Sequence, residues 1–174
     1  MTDVSIPENV VDIENDLFNG CSSLKNVTIK GPVESIGSYA FYDCFNLRTI
    51  NIPNSVIDIG KNAFCGCSSL KHVSIPDNIT YIQSGTFAGC KSLDSIIIPS
   101  SVEVIEASAF KRCTSLKSID IPDSVISIER FAFENCDSLK SIVIPDTIDS
   151  IEANAFSFCP ALTSVTIPDS VTAI

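Results

Sequence analysis

Basic residues are scarce in this chain. Its 11 Lys and Arg stand against 21 Asp and Glu, a formal net charge of −10 over 174 residues, with a pI near 4.3. That balance argues against the basic face a nucleic-acid-binding domain carries and against attraction to an anionic membrane surface. Long apolar runs are missing too. No uninterrupted stretch approaches the roughly 20 residues of a membrane span, although 45% of the residues are apolar and the mean hydropathy is +0.31. The apolar residues therefore read as core. Glycine is sparse, at 7 residues, which removes the glycine-rich repeats of calcium-binding β-solenoids. Histidine occurs once, so no histidine cluster can converge on a metal. The opening segment MTDVSIPENV lacks the basic-then-apolar order of a secretory signal. It predicts either an intracellular chain or a piece of a longer one.

What the chain does have is a period of 23 residues. Cysteine recurs at 21, 44, 67, 90, 113, 136 and 159. Phenylalanine stands three residues before each, from Phe18 to Phe156, and leucine three after, from Leu24 to Leu162. Seven occurrences in three columns, without insertion or deletion, are the signature of a solenoid.

Eight cysteines would ordinarily suggest a disulfide framework. Stacked copies place equivalent residues about 4.8 Å apart, within the range a disulfide tolerates. Seven equivalent inward-facing thiols have no unique pairing, however, and free cysteine packs as a small hydrophobe. Reduced, buried thiols are expected. Cys65 lies outside the column beside Gly66 and is expected to be an exposed thiol in a turn.

Each copy divides into two arms. Leu116-Lys117-Ser118-Ile119-Asp120-Ile121-Pro122 alternates apolar and polar residues, as a half-buried strand does. Proline cannot donate to a ladder, so it marks where the chain leaves the sheet. Val125 and Ile128 predict a second short strand or extended segment on the opposite side. Ala132-Phe133-Glu134-Asn135-Cys136 then turns the corner, with Phe and Cys on one face if this arc is a single helical or 3₁₀ turn. Lys30-Gly31-Pro32 replaces the usual Pro-Asp-Ser and predicts a local turn variant. The eight or so inward positions of one copy cannot form a core alone, so stability must come from stacking.

The register runs through the whole chain, with Met1 in the leucine column and Ile167-Pro168-Asp169-Ser170-Val171 opening a further copy. The expectation is one domain over 1–174, about seven and a half repeats. Neither end has a polar cap, which solenoids normally need. That predicts either a longer array or end-to-end association.

The pattern Leu-x-x-Ile-x-Ile-Pro-x-x-Val-x-x-Ile-x-x-x-Ala-Phe-x-x-Cys resembles the BspA-like, or Treponema pallidum-type, leucine-rich repeat over essentially all of 1–174. The resemblance implies a right-handed curved solenoid with a parallel β-sheet on the concave face. It implies a cell-surface or secreted protein that adheres to host proteins or other cells. It also implies no catalytic residues and no cofactor. The absence of a signal sequence leaves a cytoplasmic location as the alternative.

Candidate chemistry is thin. His72 projects outward between Thr49 and Ser95, with no orienting carboxylate visible in the repeat, so it reads as a surface histidine. The column after proline holds Asn54, Asp77, Ser100, Asp123, Asp146 and Asp169. Its carboxylates could bridge calcium, but an aspartate bonding its own turn is the plainer reading. Ser23, Ser69, Ser92, Ser115 and Ser138 have no base beside them and suggest a hydroxyl ladder that satisfies turn backbone.

The first arm's outward face is more informative. One column reads Thr28, Asn51, Ser74, Ile97, Asp120, Val143, Thr166, and the column beside leucine reads Lys25, Arg48, Lys71, Asp94, Lys117, Lys140, Thr163. Together they make a basic stripe with an acidic break and two unexpected apolar side chains. Asp94 should relieve repulsion between Lys71 and Lys117, though exposed pairs contribute only about 0–1 kcal/mol. Solvated side chains would account for this pattern. The functional reading is a protein-binding strip formed by Lys71, His72, Asp94, Ile97, Lys117, Asp120, Lys140 and Val143, because solenoids offer extended surfaces to partners. No nucleic acid, membrane insertion or metal is expected. Head-to-tail self-association as a structural spacer is the alternative.

Overall fold

The computed structural model describes residues 2–174, so the assignment of Met1 to the leucine column lies outside the described residues. Eleven short strands follow in chain order: β1 (Asp3–Ile6), β2 (Asp12–Ile13), β3 (Asn26–Ile29), β4 (Ser35–Ile36), β5 (Thr49–Ile50), β6 (Asp58–Ile59), β7 (Tyr81–Ile82), β8 (Val104–Ile105), β9 (Ser127–Ile128), β10 (Ser141–Val143) and β11 (Ser164–Thr166). Every pairing is parallel and offset by one 23-residue copy, as in Val27↔Ile50 and Ile105↔Ile128. The chain is thus a parallel β-solenoid of about seven turns. The described residues contain no helix.

Each arm forms one parallel ladder, split into two pieces. The first arm contributes β1-β3-β5 and β10-β11, the second β2-β4-β6 and β7-β8-β9. At the corner Cys44 N donates to Phe41 O at 3.2 Å and Leu47 N to Cys44 O at 2.9 Å. These are i→i+3 turns of 3₁₀ type that never propagate into a helix, and they put Phe and Cys on the inward face as the spacing predicts. Neighbouring copies are tied at the corner by bonds such as Phe41 N to Ala63 O, 2.8 Å.

Inside, the phenylalanines stack in one continuous file from Phe18 to Phe156. Successive ring centroids lie between 5.2 Å (Phe18–Phe41) and 5.8 Å (Phe64–Phe87) apart. Phe41, Phe64, Phe87, Phe110 and Phe133 are fully buried, whereas Phe18 and Phe156, with a ring on one side only, are half-buried. The leucine, isoleucine and cysteine columns complete the same core.

All eight cysteines are free. Cys44, Cys67, Cys90, Cys113 and Cys136 are buried, and each thiol donates to the carbonyl oxygen of the phenylalanine in the preceding copy, at 3.1 to 3.3 Å. Cys65 differs from the exposed thiol expected of it: it is half-buried, and burial followed by the Asp43 carboxylate raises its pKa.

The second ladder breaks between β6 and β7, where the column changes from Gly37 and Gly60 to Gln83, Glu106 and Glu129. A Cβ on Gly60 would lie 2.5 Å from the backbone nitrogen of Ser38. A residue with a side chain cannot sit as Gly60 does, and the ladder resumes only beyond Gln83, where Glu106 N and Glu129 N donate to Ile82 O and Ile105 O at 2.9 Å. Beyond the break the contacts reverse direction. Ser38 N is bonded by Asn15 Oδ1 of the preceding copy, but Ser84 N and Ala107 N are bonded by Glu106 and Glu129 of the following one.

Two local expectations are corrected. The turn after proline closes through backbone, as Val125 N to Pro122 O at 3.0 Å. Asp77, Asp123, Asp146 and Asp169 instead point to solvent. The hydroxyl ladder runs mainly one residue further on: Ser55, Ser101, Ser124, Thr147 and Ser170 each donate to a carbonyl 22 residues earlier, at 2.6 to 2.7 Å. Of the serines proposed for it, Ser138 makes such a bond, to Thr114 O.

Candidate binding face

The strip crosses an interruption in the first ladder. The strand expected through Leu70–Val73 is reduced to a single bridge, Thr49↔His72, and regular pairing resumes only at β10. Between them the copies are joined by longer backbone bonds, Lys117 N to Asp94 O and Lys140 N to Lys117 O, both 3.3 Å. The face is therefore not a continuous sheet: Asp94, Ile97, Lys117 and Asp120 stand on extended chain, and only Val143 stands on a strand.

The alternation in this arm still sets direction. Ile96, Ile98, Ile119 and Ile142 turn inward and are buried, which forces Ile97, Asp120 and Val143 outward. Ile97 is 82% exposed and Val143 62%. Two copies separate them, about 10 Å at strand spacing, with Asp120 between. Lys71, Lys117 and Lys140 are exposed along the same face, and Asp94 is half-buried.

His72 has the carboxylate that the repeat pattern did not reveal. Its Nδ1 lies 3.5 Å from Asp94 Oδ1, with the two side chains 69% and 39% exposed. Asp94, placed in the sequence between two lysines, thus makes its close contact with the histidine. The pair is open to water and carries no buried nucleophile, so it has the character of a surface contact.

Two shallow depressions follow the lysine column. One, about 370 Å³, is bordered by Arg48, Ser69, Lys71, His72 and Ser92; the other, about 300 Å³, by Lys71, Ser92, Asp94, Ser115, Lys117 and Ser138. A third concavity of about 390 Å³ lies at the corner, where Gly66 and Gly89 leave a gap between Asp43 and Arg112. Cys65 lines it with Phe45 and Lys91. Beside it Lys111 Nζ meets Glu134 Oε2 at 2.5 Å and sits 5.1 Å above the Phe131 ring.

A family profile described as "BspA type Leucine rich repeat region (6 copies)" matches residues 1–117 and 103–174. Among solved structures, a leucine-rich repeat protein of T. pallidum is 28% identical with a TM-score of 0.75, the match covering 98% of this chain and 72% of that one. A leucine-rich repeat protein from Eubacterium ventriosum is 27% identical with a TM-score of 0.76, over 97% of this chain and 44% of that one. A leucine-rich cell surface protein from Faecalibacterium prausnitzii is 27% identical with a TM-score of 0.51, over 95% and 59%. The chain therefore spans about half the length of the latter two. No curated protein matches it by sequence.

Proposed function

The chain belongs to the BspA-type leucine-rich repeat family, and from that premise we propose that residues 1–174 form one non-enzymatic module that binds a protein partner in cell adhesion. The binding strip comprises Lys71, His72, Asp94, Ile97, Lys117, Asp120, Lys140 and Val143. The observation that carries this reading is the exposure of Ile97 and Val143 at positions where their neighbours in the column are polar. Apolar side chains ringed by charge are the usual centre of a protein interface, because the charged rim excludes water around them. Repeat proteins generally use such extended faces for partners, and one structural relative is described as a cell surface protein.

Binding of the labelled chain to cultured epithelial cells tests this. Binding should fall about tenfold, roughly 1.4 kcal/mol, in the Ile97→Lys/Val143→Lys double variant, and should vanish after protease treatment of the cells. Binding that survives both removes the strip. Light scattering belongs beside it: mass that grows with concentration would favour the alternative of a spacer stacking end to end.

A further inference from the structure

Five of the 11 basic residues share one column: Lys25, Arg48, Lys71, Lys117 and Lys140. All five are exposed, and stacking spaces them at about 4.8 Å or multiples of it along the solenoid axis. The chain carries −10 in all, and this column, Asp94 included, carries +4, so everything outside it carries −14. A long anion is therefore repelled by the remainder of the surface and attracted along one line.

From Arg48 to Lys117 the line is also a groove. The two depressions beside it share Lys71 and Ser92, so they join end to end. Ser69, Ser92, Ser115 and Ser138 form one wall, and Asp94, the acidic interruption, turns its carboxylate toward His72. No Phe, Tyr or Trp ring borders either depression, and the single imidazole there, His72, lies against Asp94, so successive nucleobases find no run of stacking platforms. An extended acidic peptide presents like-facing carboxylates about 6.6 Å apart, every second residue, out of step with a 4.8 Å ladder. A pyranose residue is about as long as one copy is thick, so a chain of charged sugars stays in step, with its hydroxyls beside the serines.

We propose that this column is a binding groove for a linear sulfated polysaccharide lying along the solenoid axis, a ligand distinct from the protein partner above. It reaches Lys25 and Arg48, which lie outside the protein-binding strip.

Size-defined heparin oligosaccharide is the probe, titrated into the full chain at several salt concentrations. The Lys25→Ser/Arg48→Ser variant should bind about tenfold more weakly at 0.1 M salt, with the slope of log affinity against log salt reduced by about two, roughly one per cation removed. The Lys61→Ser/Arg130→Ser variant loses the same charge from exposed positions off the groove and should stay within about twofold. Equal losses in both variants, or no heparin binding at low salt, would overturn the proposal. Poly-glutamate of equal charge displacing heparin at lower concentration would overturn it in favour of an acidic peptide, and oligo-dT doing so in favour of nucleic acid. Ile97→Lys/Val143→Lys should not weaken heparin binding while lowering protease-sensitive cell binding about tenfold, so the two readings fail separately.

Discussion

The thiol of Cys90 donates to the carbonyl oxygen of Phe64, one copy back, at 3.3 Å. The same bond links Cys67 to Phe41, Cys113 to Phe87 and Cys136 to Phe110. The column therefore asks for a side chain small enough for the corner, apolar enough for the core, and able to give one weak hydrogen bond. Cysteine meets all three requirements. A disulfide between neighbours would remove two of these donors.

Reactivity should follow burial. In the native protein at pH 8 a thiol reagent should modify only the half-buried Cys21, Cys65 and Cys159 on a short timescale, and all eight cysteines after unfolding without reductant. Fast labelling of Cys90 in the folded state would contradict its place in the core.

The same thiols set an alkaline limit. Burial pushes Cys44 and Cys136 from their ordinary 9.0 up to about 12, and raises Cys67, Cys90 and Cys113 well above it. Below pH 9 the thiols are protonated in both folded and unfolded chains and cost nothing. Between about 9 and 12 the unfolded chain releases protons that the folded chain retains, so stability falls as pH rises. Thermal melts from pH 7 to 11 should show Tm dropping above pH 9, and Cys90→Ala should flatten that drop while lowering Tm at pH 7. A drop unchanged by the substitution would point to other groups.

Gly60→Ala should destabilise by about 1–3 kcal/mol, since its Cβ would meet the Ser38 backbone nitrogen at 2.5 Å and force backbone to move. Gly20→Ala provides the contrast. Nothing lies within 4 Å there, so only the φ of +70° opposes the side chain, at about 1–2 kcal/mol. Urea unfolding of both variants decides: a cost at Gly60 no larger than at Gly20 would mean that the break before β7 has another cause than the loss of glycine from this column.

Phe87 has rings on both sides, centroids 5.8 and 5.6 Å away, and Phe18 a ring on one. Phe87→Ala should cost about 3–5 kcal/mol, and Phe18→Ala less than half as much, because a repeat array sums its nearest-neighbour interfaces. Equal costs in denaturant titration would show that the stack does not behave as such a sum.

These columns were legible because their residues keep one orientation in every copy: an inward Phe133 implies an inward Phe110. The approach of His72 to Asp94 was not. The two are 22 residues apart, one short of the period, so the contact depends on how two exposed side chains lean and no column displays it. The gap in the first ladder, which the strip crosses, leaves no mark in the pattern, since Leu70-Lys71-His72-Val73 alternates as well as Leu139–Ile142 does. A missed signal was present in Ser55, Ser101, Ser124, Thr147 and Ser170, hydroxyl residues two after proline in copy after copy.

Thr86 is the one buried polar residue in a column that otherwise reads Leu17, Ala40, Ala63, Ala109, Ala132 and Ala155. Its Oγ1 donates to Gln83 O at 2.7 Å, but that carbonyl also accepts from Thr86 N at 3.1 Å, so deleting the hydroxyl leaves no orphan. Thr86 also borders a small hollow lined by Ile59, Ile79, Ile82 and Phe87. If filling that hollow is what the residue does, Thr86→Val should remain within about 1 kcal/mol of the parent, because a hydrogen bond contributes a net of about 1 kcal/mol and the desolvated hydroxyl is relieved. Thr86→Ala should then cost more, about 1 kcal/mol for the lost methyl plus a term for the enlarged hollow. Chemical denaturation of the two variants ranks them directly. The opposite order would mean that the hydroxyl, by closing the turn at Gln83, is what lets the chain resume its stacking at β7 after the break.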